Sequence, residues 1–265
     1  MMRHTELKDF WERRLEADWT ESGVGYKQLG RAFNSYMYLI RGEVFRREVG
    51  RLGLGLASAK VLDVGSGTGF YLRQWRALGA RSITGADLTK AAVERLIARF
   101  PDSEILQLDL ADPGELIEPA SFDAVSAMDM LFHITDDERY RSALRTLGRA
   151  TKPGGVLVLS ENFLHRPEQR GDHQVNHTLP WITTALGEAG FDVVRRAPML
   201  VLMNAQVDAN PVWRKLWGGF LRGVTLTEAT GRVAGALLSP VERRLVRVVR
   251  ESPTTELMIC RRRAE

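Results

Sequence analysis

The chain has 265 residues, enough for one large domain or one domain with a sizeable insertion. Its 44% hydrophobic and 26% charged content excludes broad disorder and fibrous classes and leaves enough apolar residues for a core. The single cysteine, Cys260, excludes a disulfide framework. No apolar run reaches the ~18 residues of a membrane span, and the opening MMRHTELKDFWERRLEADW is too charged for a secretory signal, so a cytoplasmic setting is expected. The net charge of +4 is unevenly spread. Residues 211–265 hold 11 basic and five acidic side chains (+6), while residues 1–210 hold 26 and 28 (−2), so the positive field gathers at the C-terminal end.

In chain order, residues 1–57 read as an N-terminal helical cap. Phe10, Trp11, Leu15 and Trp19 keep helical spacing, and Gly23 and Gly25 break it. A second helix is predicted over 29–52, with Phe33, Met37, Ile40, Val44 and Phe45 on one side. From residue 58 onward short β-rich runs alternate with amphipathic runs. Strands are predicted at 60–64, 82–86, 104–108, 122–128, 156–160 and 191–196. That alternation predicts an α/β, Rossmann-like, mostly parallel sheet with helices on both faces. Thr89 is expected to cap helix 90–99, and Thr135 with Glu138 to form a capping box for the helix ending at Ala150. Residues 152–155 (KPGG) read as a turn, and Thr178 and Gly190 as the bounds of a helix over 179–189. Met199 to Met203 reads as strand-like, residues 210–251 as apolar and basic helices, and 254–260 (TTELMIC) as a last strand. The segment 204–252 is therefore a helical insertion within a domain covering 58–265.

The strongest motif is Val61-Leu62-Asp63-Val64-Gly65-Ser66-Gly67-Thr68-Gly69. A buried strand runs into glycines that let the backbone turn tightly and let a ligand approach without a Cβ in the way. The helix beyond offers unsatisfied N–H groups to a carboxylate or phosphate. A dinucleotide loop would need a small residue where Phe70 stands, and no Tyr-x-x-x-Lys pair follows; both weigh against a nicotinamide oxidoreductase. Asp87 ends the second strand, where a carboxylate can accept both hydroxyls of a ribose. Asp109 follows the third strand, where it can accept from an adenine amino group, and Asp129 follows the fourth.

Together VLDVGSGTG, GADL, LDLAD, FDAVSAMDMLFHI and LGRATKPGGVLVLSEN resemble the motifs of class I S-adenosylmethionine-dependent methyltransferases, over about residues 60–197. AMDMLFHI is similar to the branch that includes ubiquinone-biosynthesis O-methyltransferases. The resemblance implies a seven-stranded sheet with an antiparallel last strand and S-adenosyl-L-methionine as cofactor. It implies that Gly65, Ser66, Gly67 and Gly69 form the loop beneath the cofactor and that Asp63 either orients that loop or takes the cofactor's amino group through water. Asp87 and Leu88 then serve the ribose, Asp109 and Leu110 the adenine, and the backbone at Met128 the amino group. His133, Glu161 and His173 are the candidate catalytic side chains, and the histidine loop 165–177 is expected to cover the acceptor pocket. Asp129 with Glu161-Asn162 resembles the metal positions of catechol methyltransferases, but Glu stands where Asp is expected, and no metal is called for.

The expected reaction is methyl transfer to a small molecule, most simply at oxygen. The alternatives are transfer to nitrogen or carbon of a lipophilic or membrane-associated acceptor, or cofactor binding without catalysis. Nucleic acid is not expected as a partner, because no N/D-P-P-Y/F motif follows the fourth strand and no nucleic-acid module is present. Peripheral membrane contact through 210–251 and a homodimer are the remaining partner expectations. Tyr26, Tyr36, Tyr38 and Arg41 are expected to close over the cofactor.

Overall fold

The computed structural model describes residues 2–264. The chain opens with α1 (His4–Ala17), a short α2 (Glu21–Val24), a 3-10 turn (Lys27–Leu29) and the long α3 (Gly30–Gly50). The alternating region then runs β1 (Lys60–Val64), α4 (Phe70–Ala77), β2 (Ser82–Asp87), α5 (Lys90–Arg99), β3 (Glu104–Gln107) and β4 (Phe122–Met128). It continues through a 3-10 turn (Leu131–His133), α6 (Asp137–Ala150), β5 (Thr151–Glu161), a small hairpin of β6 (Gln169–Arg170) and β7 (Val175–Asn176), α7 (Leu179–Glu188) and β8 (Phe191–Pro198). Two helices, α8 (Pro211–Val224) and α9 (Glu228–Val248), precede β9 (Glu256–Arg262).

Seven strands form one sheet in the order β3-β2-β1-β4-β5-β9-β8, and β9 alone runs antiparallel to its neighbours. The expected α/β sheet and its reversed last strand are both present. Strand periodicity explains the two core layers. Leu62, Val125, Ala127, Leu157 and Leu159 face α6 and α7, while Val61, Ala124, Val156 and Val158 face Phe45, Leu72, Trp75 and Leu96 of α3, α4 and α5. The central strands are apolar on both faces because both faces are covered.

A third apolar cluster joins the insertion to the N-terminal helices. Leu29, Phe33, Met37, Ile40 and Val44 pack against Leu200, Val201, Met203, Leu221 and Val246. Here α9 presents Gly231, Gly235 and Ser239, four residues apart, to α3. A Cβ at Gly235 would lie 2.3 Å from the Tyr36 ring, so the close approach of the two helices needs a glycine.

Three local expectations are corrected. The cap of α6 is Asp136, whose side chain accepts from the Arg139 N–H at 2.9 Å; Thr135 lies one residue too early for the helix start. Residues 152–155 do not separate α6 from the strand. The β4 pairing jumps from Thr151 to Val156, so this stretch is a bulge inside β5, with Gly154 at φ +75°. Met199 to Met203 is not a strand. Past Pro198 the backbone N–H groups of Val201 and Leu202 donate to the buried Glu242 carboxylate instead of a neighbouring strand. Thr89 and Thr178 cap α5 and α7 as expected.

Gly235→Ala is expected to destabilise the fold by about 1–3 kcal/mol through overpacking against Tyr36. Gly187→Ala, with open space around it, is expected to be neutral or stabilising. Thermal melts of the two variants check the contrast; equal midpoints would contradict it.

Candidate active site

The carboxyl ends of β1, β2 and β4 open onto a cavity of about 460 Å³. This is where open α/β sheets bind ligands. Its floor is the turn after β1, in which Gly65, Gly67 and Gly69 adopt φ of +69°, +52° and +75°. A Cβ at Gly65 would meet Met130 at 2.7 Å, and one at Gly69 would meet Phe100 at 2.3 Å, so side chains are excluded on steric as well as dihedral grounds.

Two buried carboxylates hold this turn. Asp87 accepts the Gly67 N–H at 2.9 Å with one oxygen, and the Thr89 N–H and hydroxyl at 2.9 and 2.7 Å with the other. Asp63 accepts from Ser126 Oγ at 2.5 Å and Ser66 Oγ at 3.0 Å. Burial pushes Asp63 up to about 7; the serine hydroxyls oppose that shift and the Asp87 charge adds to it. Burial also raises Asp87, against the donors from Thr89 and Gly67. Asp63 lies beneath the loop and off the cavity wall, where it orients Ser66. Gly69 is likewise off the wall. Gly65, Ser66, Gly67, Asp87, Leu88, Asp109, Leu110 and Met128 all line the cavity.

The roof is α1, which contributes His4, Leu7, Trp11 and Leu15 to the cavity. It is fastened at several points. Glu12 accepts the Lys90 and Ala91 N–H groups at the start of α5, at 2.9 and 2.7 Å. Beyond α1, Trp19 Nε1 donates to the Gly67 carbonyl at 2.9 Å. Asp109 on the opposite wall accepts from the Ala111 N–H at 3.0 Å and pairs with Arg139 at 2.5 Å and His4 at 2.9 Å.

Asp129 ends β4 in the left-handed region, at φ +55°. Backbone strain of this kind costs about 1–3 kcal/mol and persists only where neighbours hold it. Ser160 Oγ donates to its carboxylate at 2.9 Å and accepts its N–H at 2.8 Å, and the buried Arg41 pairs with it. Burial works most strongly against the Arg41 charge, but Asp129 together with the Tyr71 and Tyr38 oxygens more than offsets it and raises the guanidinium above its ordinary value. Of the four N-terminal residues expected over the cofactor, only Tyr38 lines the cavity. Arg41 acts from behind through Asp129. Tyr26 and Tyr36 instead pack in the cluster with α8 and α9, because α3 turns that side to the insertion.

His133 lines the cavity, packed edge-on against Trp11 with ring centroids 4.6 Å apart. Its Nδ1 lies 2.9 Å from the His173 carbonyl, which only a protonated Nδ1 can satisfy. Nε2 is therefore the acceptor nitrogen, and burial pulls the imidazole down to about 3. The structure does not bring Glu161 or the His173 ring to the cavity wall. Glu161 is buried, accepts from the Tyr140 hydroxyl at 3.2 Å, and is pushed well above the usual carboxylate range by burial. His173 stacks on Phe10, 5.2 Å between centroids. Of the other loop histidines, His165 pairs with Asp208 and His177 stacks on Trp181. Neither reaches the cavity. Cys260 is buried in β9, away from it.

Residues 61–155 match the model of a family described as "Methyltransferase domain". A ubiquinone biosynthesis O-methyltransferase of Azoarcus sp. is 34% identical over 115 residues, 41% of this chain and 48% of the relative; the match spans about half the length of that relative. Among solved structures, a phosphoethanolamine N-methyltransferase of Haemonchus contortus in complex with S-adenosyl-L-methionine aligns with a TM-score of 0.59 at 17% identity, over 97% of this chain and 60% of that one. The [4+2]-cyclase SpnF aligns at 0.53 and 19% identity, over 83% and 80%. Residues 61–155 thus match a methyltransferase domain in sequence, and the sheet has the fold of solved S-adenosylmethionine-dependent methyltransferases. In this domain the glycine turn, Asp87 and the apolar Leu88, Leu108 and Leu110 make a mixed acidic and apolar edge suited to a nucleoside. The buried Thr68 hydroxyl has no partner on this edge, so a polar ligand group could satisfy it.

Several site residues escaped sequence reasoning: His4, Leu7, Trp11 and Trp19 of the roof, Thr68, Arg139, and the two serines beneath the sheet edge. The helical spacing of Trp11 and Trp19 was visible, but not the direction that α1 takes across the sheet.

Because the folded Asp63 holds its proton up to about pH 7 while an unfolded aspartate releases it near 4, the folded state binds more protons in that window. Stability is therefore expected to fall as pH rises from about 4 to 7. Asp63→Asn is expected to flatten part of that slope in urea unfolding; an unchanged slope would contradict the assignment.

Proposed function

We propose that this chain transfers the methyl group of S-adenosyl-L-methionine to a hydroxyl oxygen of a small-molecule acceptor. The observation that carries the reading is one cavity combining the pinned glycine turn, Asp87 and Asp109 with an apolar compartment of Leu7, Trp11, Met130, Ile134 and His133. The name of the Azoarcus relative supports oxygen as the acceptor atom. The fold by itself is neutral, since a cyclase shares it.

When bound, the cofactor supplies an electrophilic sulfonium methyl group. Gly65 to Gly67 would pass beneath it without side-chain interference. Asp87 would accept one ribose hydroxyl at the lone pair that Oδ2 has free beside the Gly67 N–H, and the second only in exchange for one of the two Thr89 donors on Oδ1. Leu88 and Leu110 would sandwich the adenine, and Asp109 would take its amino group in competition with Arg139 and His4. The carbonyl side of Met128 would receive the amino group of the methionine part.

The chain's own contribution to methyl transfer is alignment of the two reactants in one cleft. With His133 held neutral, Nε2 accepts a hydrogen bond from the acceptor hydroxyl and orients its oxygen lone pair. So low a basicity suits positioning better than proton storage: as the O–CH3 bond forms and the sulfonium S–CH3 bond breaks, S-adenosylhomocysteine departs and the hydroxyl proton is released to water at the mouth of the cavity. Glu161, buried and bonded to Tyr140, lies off the cavity wall and supports the end of β5. The His173 carbonyl sets the His133 tautomer, so His173 acts as a positioning residue through its backbone.

Titration calorimetry with S-adenosyl-L-methionine should show binding, and Asp87→Ala should weaken it by roughly tenfold or more. Incubation with methyl-labelled cofactor and a panel of phenols should release S-adenosylhomocysteine. His133→Gln should lower kcat/KM roughly 100-fold with cofactor affinity unchanged. The wild-type profile should show no inflection near pH 6.5 from His133, because its neutral form persists down to about pH 3. Binding without turnover on any hydroxyl would contradict the O-methyltransferase reading, and turnover unaffected by His133→Gln would remove His133 from it.

A further inference from the structure

The insertion shows apolar surface where a free helix would be polar. In α8, Leu221 is buried, while Val212 and Leu216 are 68% and 65% exposed and Trp213 and Phe220 nearly half exposed. The helix thus has two apolar sides, one in the core and one outward. Trp213 stacks along Trp217 at 5.4 Å, and Phe220 lies 4.9 Å from Trp217, which makes a continuous aromatic ridge. In α9 the pattern repeats. Gly231, Gly235, Ser239, Glu242 and Val246 face inward, and Val233, Leu237 and Val241 recur every four residues on the opposite side. Leu226, at the corner between the helices, is 81% exposed.

The charges around this surface are of one sign. Residues 211–250 hold eight basic side chains and two acidic ones. Both acids are engaged by backbone: the exposed Glu228 accepts the Arg31 and Ala32 N–H groups at 2.9 and 2.6 Å at the start of α3, and the buried Glu242 accepts from Val201 and Leu202. Of the cations, Arg243 is paired with Glu43. Arg214, Lys215, Arg222, Arg232, Arg244, Arg247 and Arg250 have no carboxylate partner among the described residues. Three of these, Arg214, Lys215 and Arg222, line a second cavity of about 280 Å³ beside α8, together with Tyr26.

We propose that α8 and α9 form a membrane-docking face that lies in the headgroup region of an anionic bilayer. The apolar ridges would enter the acyl boundary, the flanking arginines would meet lipid phosphates, and the cavity beside α8 would seat one headgroup phosphate. No helix among the described residues is long and apolar enough to cross a membrane, so this is contact from one side. A second copy of the chain is the other candidate occupant. It fits less well, because a two-fold interface would set one row of arginines against its twin. The proposal does not depend on the methyltransferase reading.

The test is flotation of the full chain with vesicles of phosphatidylglycerol mixed with phosphatidylcholine, and with phosphatidylcholine alone. Binding is expected only to the anionic vesicles and should weaken in high salt. Leu216→Glu with Phe220→Glu, and separately Arg232→Glu with Arg244→Glu, should each lower binding roughly tenfold or more. All four side chains are exposed, so melting temperatures should hold, which separates loss of docking from loss of folding. Three outcomes overturn the proposal: no binding to anionic vesicles, equal binding to both compositions, or a concentration-dependent dimer in sedimentation that Leu237→Glu abolishes while vesicles stay bare.

Discussion

The peptide at Gly67 is held from both sides, and the arrangement of the cleft follows from that. Its N–H donates to Asp87 at the end of β2, and its carbonyl accepts from Trp19 in the N-terminal region. The two peptide groups that meet at the Gly67 Cα thereby tie the turn after β1 to the next strand on one side and to the segment that follows α1 on the other. Glycine suits the turn throughout, with φ values of +52° to +75°, and at Gly65 and Gly69 the neighbours are also too close for a Cβ. A roof that leaves would release one of these two bonds, so closure of α1 and order in the loop are coupled.

Four acidic side chains crowd the same region, and the fold handles each differently. Asp87 is offset by backbone and hydroxyl donors, Asp63 by serine hydroxyls and a raised proton affinity, Asp129 by the Arg41 charge, and Glu161 by the Tyr140 hydroxyl and a raised proton affinity. Only Asp87 and Asp129 both line the cavity and hold donors that also stabilise the loops around it. Burial raises both Asp63 and Glu161, and neither lines the cavity, so those two serve the architecture and leave ligand contacts to their neighbours.

The sheet was legible because parallel strands covered on both faces are short apolar runs, and each here ends in a glycine turn or an acidic residue at the binding edge. The glycine turn, Asp87 and Asp109 could be placed for the same reason: strand ends fix where the next few residues must go. Errors fell where tertiary contacts override local pattern. Met199 to Met203 has strand composition, but a carboxylate forty residues away takes its amide groups. Glu161 and His173 follow promising elements, yet a one-residue change in direction sends one into the core and the other onto Phe10. Nothing local to α1 says that it crosses the cleft; its partners are in α5, α6 and the glycine turn. The insertion is legible as apolar and basic, but which of its apolar residues face outward follows only from the small-residue seam that α9 turns toward α3.

The most direct test of the central claim is a crystal structure with S-adenosylhomocysteine bound. The ribose hydroxyls are predicted to lie within hydrogen-bond reach of Asp87 while the Gly67 N–H keeps its bond to the same carboxylate. A ligand seated elsewhere, or a cavity that stays empty at saturating concentration, would contradict the account.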